Sequence, residues 1–405
     1  MAQIAREYVR LVLAMGHHDP DYVDAYYGPA DIRAEADAAR LSLGDIGKTV
    51  STLIEWVKGV PADGRDELSR LRHQYLEKQL SAMDARVRML KGERLSFDEE
   101  SRALYDAVAP SYPDAHFEEV LDRLASHFQG SGALVDRYES WRRAFMIPRE
   151  KLDAVFKTAV AECRERTRRR IPLPAHEAFT VGYVTGKSWS GYNWYEGNCR
   201  SLIQVNTDLP VYIDRAIDLA SHEGYPGHHV YNVLLEQHLV KDRGWIEFTV
   251  YPLFTPQSLI AEGTANFGIQ VAFPGHERIE FERTTLFPLA GLDPARAEEY
   301  YETQALVEHL SYAGNEAARR YLDGQMNRGE TEAWLERYAL MPRERAAQRV
   351  RFFDQYRSYV INYNYGTDLV RAFIESRGGT AEHPDTRWRE FETLLSSPRL
   401  PSGLR

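Results

Sequence analysis

The sequence predicts a mainly α-helical protein in which a small antiparallel β-sheet lies beside a metal-binding helix. Three observations predict it. Apolar residues recur at helical spacing through residues 1 to about 170. From Ala178 onward, runs rich in β-branched and aromatic residues interrupt that pattern. The stretch Ser221-His222-Glu223-Gly224-Tyr225-Pro226-Gly227-His228-His229 then gathers three imidazoles and a carboxylate around a Pro-Gly break.

Composition narrows the function classes. A chain of 405 residues, 43% hydrophobic and 27% charged, is large enough for a substantial core and ordinary for a globular protein. A net charge of −10 argues against a nucleic-acid surface. No apolar run reaches the length of a membrane span. The first residues read as a helix rather than a signal core. Cys163 and Cys199 make neither a disulfide framework nor a metal spacing, so a reducing cytoplasm is the simplest setting.

In chain order, Ile4, Val9, Leu11, Val12 and Met15 begin the first amphipathic helix. Leu53 to Val57, Leu71 to Leu90 and Phe117 to Phe128 mark further ones. His17-His18-Asp19 reads as a turn closing the first helix, and Arg164 to Arg170 as the solvated end of a later one. Ile171-Pro172-Leu173-Pro174 makes a boundary, dividing a helical region 1–172 from a second region 173–405. Phe179 to Val184 and Leu202 to Asn206 read as strands joined by an aromatic loop with Trp189, Tyr192 and Trp194. Asp208 is the expected cap of the motif helix, with Pro210 in its first turn. Ile213, Ala216, Ile217 and Ala220 form its buried stripe. Asp293-Pro294 opens another helix. Met341-Pro342 begins a long one that runs through Arg357, Tyr359, Tyr363 and Tyr365, with a break near Gly366.

Imidazoles beside a glutamate are the makings of a zinc site with its own general base. The usual arrangement is H-E-x-x-H on one helical face, but here a proline, Pro226, stands where the second histidine would fall. On a regular helix His228 would lie roughly 240° around from His222, and His229 would return to the same face about 10 Å further on. Pro226 and Gly227 therefore predict a bulge or kink that swings a histidine back toward His222. Spacing alone leaves His228 and His229 both open.

The pattern H-E-x-x-P-G-H resembles the signature of the bacterial domain of unknown function 885 family, which is similar to the glutamate-zincin metallopeptidases. The resemblance covers roughly Ala178 to the C-terminus. It implies His228 as the second ligand and Glu262, in Ala261-Glu262-Gly263, as the third, around one zinc ion. Asn266 follows Glu262 by one turn and would support the ligands, while His229 is the alternative to His228 as the second ligand. Glu223 would be the general base. The resemblance also implies a zincin-like fold with the N-terminal helices as one wall of a cleft, admitting short peptides or other small substrates. A strand before the metal helix would pair with an extended substrate, which nominates Gln204, Asn206, Trp189 and Tyr192 for binding. A late arginine, Arg357, suits a substrate carboxylate, and Tyr365 or Tyr363 suits the developing oxyanion. The same ligands serve a hydrolase of non-peptide amides or esters. A silent metal-binding scaffold is the remaining alternative, against which the retention of Glu223 speaks. Nothing in the sequence sets the oligomeric state.

Overall fold

The computed structural model describes residues 1–61 and 66–405. Its first half follows the helical periodicity. The helices are α1 (Ala2–Met15), α2 (Ala30–Ala39), α3 (Leu43–Lys58), α4 (Glu67–Leu90), α5 (Phe97–Tyr105), α6 (Asp114–His127), α7 (Leu134–Arg142) and α8 (Leu152–Arg168). One short strand, β1 (Val23–Tyr26), separates α1 from α2. Ser42 caps α3 by accepting from the Asp45 amide, and Ser96 with Glu99 closes a capping box on α5. His17-His18-Asp19 is a turn: His17 pairs with Asp37, His18 with the Leu41 carbonyl, and Asp19 with Arg86. Of the arginines from Arg164 to Arg170, Arg164 pairs with Glu177, Arg166 with Glu162, Arg169 with Glu165 and Arg170 with Asp385.

Three strands follow: β2 (Ala178–Val184), β3 (Gly191–Gly197) and β4 (Arg200–Asn206), in spatial order β2-β4-β3. The stretch expected to be an aromatic loop is largely β3 itself. Its residues alternate, with Asn193 and Tyr195 inward and Trp194 outward. Asn198 and Cys199 both take left-handed φ, 52° and 58°, as a tight hairpin turn requires. β3 and β4 thus pair antiparallel, while β2 joins β4 in parallel register.

The motif segment begins with α9 (Asp214–Leu219), not at Asp208. The Asp208 carboxylate accepts instead from the Gly186 and Lys187 amides at the end of β2, which removes it as a helix cap. α10 (His228–Leu235), β5 (Val250–Pro252) and α11 (Pro256–Ala272) follow. The remaining helices are α12 (Glu277–Phe281), α13 (Phe287–Ala290), α14 (Ala297–Glu308), α15 (Ala313–Leu322), α16 (Arg328–Tyr338), α17 (Arg343–Tyr356), α18 (Ile361–Ser376) and α19 (Pro384–Leu395). The expected long helix is therefore two, α17 and α18. The break falls at Arg357, which has φ 52°, and not near Gly366. Among the described residues no helix is long and apolar enough to cross a membrane.

The two ends of the sequence share one core. Buried side chains run from Ile4 to Leu404 in a single cluster. β1 pairs antiparallel with β5, Arg72 pairs with the fully buried Glu247, and Tyr75 donates to Gln257 of α11. At the centre α11 crosses α18 with glycine on glycine: a Cβ on Gly263 would stand 2.4 Å from the Gly366 carbonyl oxygen. That crossing sets Glu262 on α11 against Tyr359, in the short turn just before α18. Gly263→Ala should force the helices apart and cost about 2 kcal/mol or more, net of the better helix propensity of alanine. Chemical denaturation of wild type and variant measures this.

Candidate metal centre

α9 buries Ala216, Ile217 and Leu219, and the chain then widens into one π-helical turn over Ala220–Gly224. The helix stops there and restarts at His228. Gly227 permits the restart: its amide donates to the Ser221 carbonyl at 2.9 Å, and a Cβ would stand 2.0 Å from the His222 carbonyl oxygen. No side chain fits so close to backbone. The result folds His228 back onto His222, with their rings edge to face and centroids 4.6 Å apart.

α11 brings the third group. The His222 and His228 Nε2 atoms are 3.1 Å apart, and Glu262 Oε2 lies 3.2 Å from the first and 3.6 Å from the second. In a tetrahedral site with bonds of about 2.0–2.2 Å, neighbouring donor atoms are about 3.3–3.6 Å apart. The triad comes within about 0.2 Å of that spacing. The other faces of the ligands are also held. His222 Nδ1 lies 2.9 Å from Asn266 Oδ1, which keeps the proton on Nδ1 and the lone pair on Nε2. Asn266 is in turn fixed by donating to the Tyr363 carbonyl. Glu262 Oε1 accepts from the Tyr359 hydroxyl at 2.7 Å, while the buried Oε2 has no aligned hydrogen-bond donor. A buried carboxylate oxygen without an aligned donor, facing two imidazole nitrogens, is what a bound cation would satisfy. His222, His228 and Glu262 are also the cluster with metal-ligand spacing among the described residues.

Glu223 stands beside this triad without joining it. Its Oε1 is 4.0 Å from His222 Nε2 and the residue is only 4% exposed. Burial raises its pKa above the ordinary carboxylate value, and the Glu262 charge adds to this against the pull of the two histidines. β3 fixes its position: Asn193 donates to the Glu223 carbonyl, and a Cβ on Gly191 would stand 2.7 Å from Glu223 Oε1. Glycine at 191 therefore lets a strand backbone pass directly over the carboxylate.

His229 lies elsewhere. It is fully buried, with Nδ1 2.8 Å from Ser201 Oγ and Nε2 3.2 Å from Glu177 Oε2. Burial lowers its pKa, and it braces α10 against the sheet from behind. Trp189, Tyr192 and Tyr363 line the cavity in front of the triad. Gln204, Asn206, Tyr365 and Arg357 do not line it. Gln204 accepts from Trp194 on the outer face of the sheet. Asn206 donates to the Lys187 and Trp189 carbonyls, so it holds the loop that presents Trp189. Tyr365 points toward Arg405, and Arg357 pairs with the buried Glu100 at 2.6 Å. The turn at Arg357 rotates α18 so that Tyr359 and Tyr363 face the triad and Tyr365 faces away.

Two residues that sequence reasoning did not single out belong here. Tyr359 was visible only as one of several tyrosines, because the helix break that sets its phase leaves no sequence signal. Asp24 of β1 lines the cavity and accepts from the Tyr192 hydroxyl. Burial first, then the charges of Glu262 and Glu223, holds its pKa well above the usual carboxylate value. The cavity that joins these residues is about 1370 Å³, room for a substrate of several residues.

No protein-family model matches the sequence, and no curated protein matches it either. Solved structures align with most of the chain. A candidate lipoprotein from Colwellia psychrerythraea is 14% identical, covers 93% of this chain and 72% of its own, and has a TM-score of 0.54. A candidate lipoprotein of unknown function from Shewanella oneidensis is 12% identical over 91% of this chain and 79% of its own, with a TM-score of 0.45. An M32 carboxypeptidase from Deinococcus radiodurans R1 is 14% identical over 96% of this chain and 88% of its own, with a TM-score of 0.38. The likeness to the first is one of fold alone.

Metal content separates the histidines. His228→Ala and Glu262→Ala should each lose the metal, whereas His229→Gln should retain it and lose stability instead, because the buried imidazole contacts with Glu177 and Ser201 are disrupted. Mass spectrometry of the purified proteins, paired with thermal denaturation, checks both halves.

Proposed function

We propose that this chain is a zinc-dependent metallopeptidase of the family marked by H-E-x-x-P-G-H, cleaving peptide bonds of short peptides. One observation carries the reading: three donor atoms at tetrahedral spacing share a cavity with Glu223, a buried carboxylate that the triad does not use. A structural zinc site has no need of such a group.

His222, His228 and Glu262 would hold the ion, and Asn266 and Tyr359 would orient them. When bound, zinc supplies Lewis acidity toward a carbonyl oxygen and makes water more acidic. Glu223 takes a proton from the attacking water as its oxygen bonds to the carbonyl carbon. It then returns that proton to the amine nitrogen as the C–N bond breaks. Tyr363, which lines the cavity, would donate to the oxygen that gains charge.

The peptide preference is supported by β3. It is an edge strand, and Gly191, Tyr192 and Asn193 line the cavity, so an extended substrate can lie along it with backbone hydrogen bonds. The Trp189 and Tyr192 rings lie 5.2 Å apart, tilted by 40°, and offer an apolar wall. The net charge of −10 keeps nucleic acid outside the proposal. A cytoplasmic setting belongs to it, on the ground that both cysteines are free and buried.

Glu223→Gln should lower turnover of a cleaved peptide by about 10²–10⁴-fold while leaving about one zinc per chain. A peptide-library digest of the zinc-loaded protein, followed by kinetics on the best substrate and metal analysis of both forms, makes the test. Turnover that survives the substitution sinks the mechanism. Cleavage of esters or non-peptide amides, with no peptide cut, would keep the chemistry and replace the substrate.

A further inference from the structure

The cavity is rich in arginine, and most of that charge is already neutralised. Arg215 lies 3.2 Å from Asp218, Arg278 2.9 Å from Asp218, Arg371 3.0 Å from Asp368, and Arg387 3.3 Å from Glu375. Arg349 is different. It lines the same cavity from α17, and no carboxylate among the described residues pairs with it. Its Nε is buried without a hydrogen-bond partner. The guanidinium is held between aromatic rings, 4.8 Å from the Phe352 centroid, 5.5 Å from Phe353 and 5.9 Å from Tyr363.

Those rings orient the cation without neutralising it. A charge taken out of water with no counter-ion is expensive, and its buried N–H adds to the cost. Arg345, one turn earlier on α17, also lines the cavity without an ion pair among the described residues, but its charged neighbours are Arg142, Arg215 and Glu139, on another side. Arg349 instead adjoins the triad through two tyrosines. Its guanidinium meets Tyr363, the Tyr363 ring lies 5.8 Å from that of Tyr359, and Tyr359 donates to Glu262. A substrate whose scissile bond sits at the triad would bring an end or a neighbouring residue to this arginine.

We infer that Arg349 is a specificity-determining residue that binds a free carboxylate of the substrate, in the first instance the C-terminal carboxylate of a short peptide. The planar guanidinium matches a carboxylate in bidentate fashion, and the aromatic cage keeps water from competing. This takes the role that the sequence assigns to Arg357, whose charge Glu100 consumes. The inference rests on the peptidase reading for the nature of the substrate.

The test uses the zinc-loaded full chain and a panel of N-acetylated dipeptides, each as the free acid and as the C-terminal amide. Binding is measured by calorimetry in the Glu223→Gln background, so the readout does not require turnover. Kinetics are run in parallel on the wild-type protein. The free acids should bind about 30-fold or more tightly than the amides. Arg349→Gln should reduce the acids to the level of the amides, and Arg349→Lys should restore part of the difference. Circular dichroism confirms that each variant is folded. Equal binding of acid and amide, equal weakening of both by Arg349→Gln, or binding of neither form overturns the subsite. Cleavage of acid and amide at equal rates does so while leaving the hydrolase reading intact. Arg349-dependent binding of the acids with no turnover by the wild type leaves the subsite standing and removes the hydrolase.

Discussion

Everything at the candidate site depends on how closely backbone approaches backbone at two glycines. At Gly227 the chain turns back on the end of the preceding helix, inside the radius of any side chain, and this lets His228 reach His222. At Gly263 helix α11 meets Gly366 of α18 at the same kind of range, and this sets Glu262 opposite the histidines with Tyr359 behind it. Both contacts are steric constraints with no tolerance for a methyl group. The three donor atoms come from two separate helices and one restart. They converge because the backbone can come that near.

Around that point the protein sorts its buried charge into two kinds. Behind the triad, Glu177 is saturated by Arg164, His229 and Tyr225, which hold its carboxyl down to about 2 despite burial. It is an ionised but fully paired brace. In front of the triad, Glu223 and Asp24 have raised pKa values, and Arg349 has no counter-ion among the described residues. Groups left uncompensated on one side of a helix and fully paired on the other show which side expects a ligand.

Much of the fold was legible. Helical periodicity in the first 170 residues, the switch at Ala178 and the Asp293-Pro294 start each correspond to an observed element. What was misread involved competition for a single group. Asp208 can cap a helix or hold the end of β2, and pairing with the Gly186 amide decides it. The aromatic stretch after Gly191 can be loop or strand, and only pairing with β4 makes it a strand. The break at Arg357 has no glycine or proline to announce it. A left-handed arginine there is held by Glu100, 257 positions earlier in the sequence.

The sequence by itself determined that His222, Glu223 and a histidine after Pro226-Gly227 lie together, because those residue types and that break are local. It also determined the mainly helical class and the composition of the cavity wall between Trp189 and Tyr192. Tertiary structure decided which histidine faces Glu262, that Tyr359 rather than Tyr365 supports it, and that Arg349 rather than Arg357 remains unpaired. The physical reason is common to all three. A side chain's direction follows from the phase of its helix, and its free charge follows from who else is near. Both are set by contacts between residues tens to hundreds of positions apart.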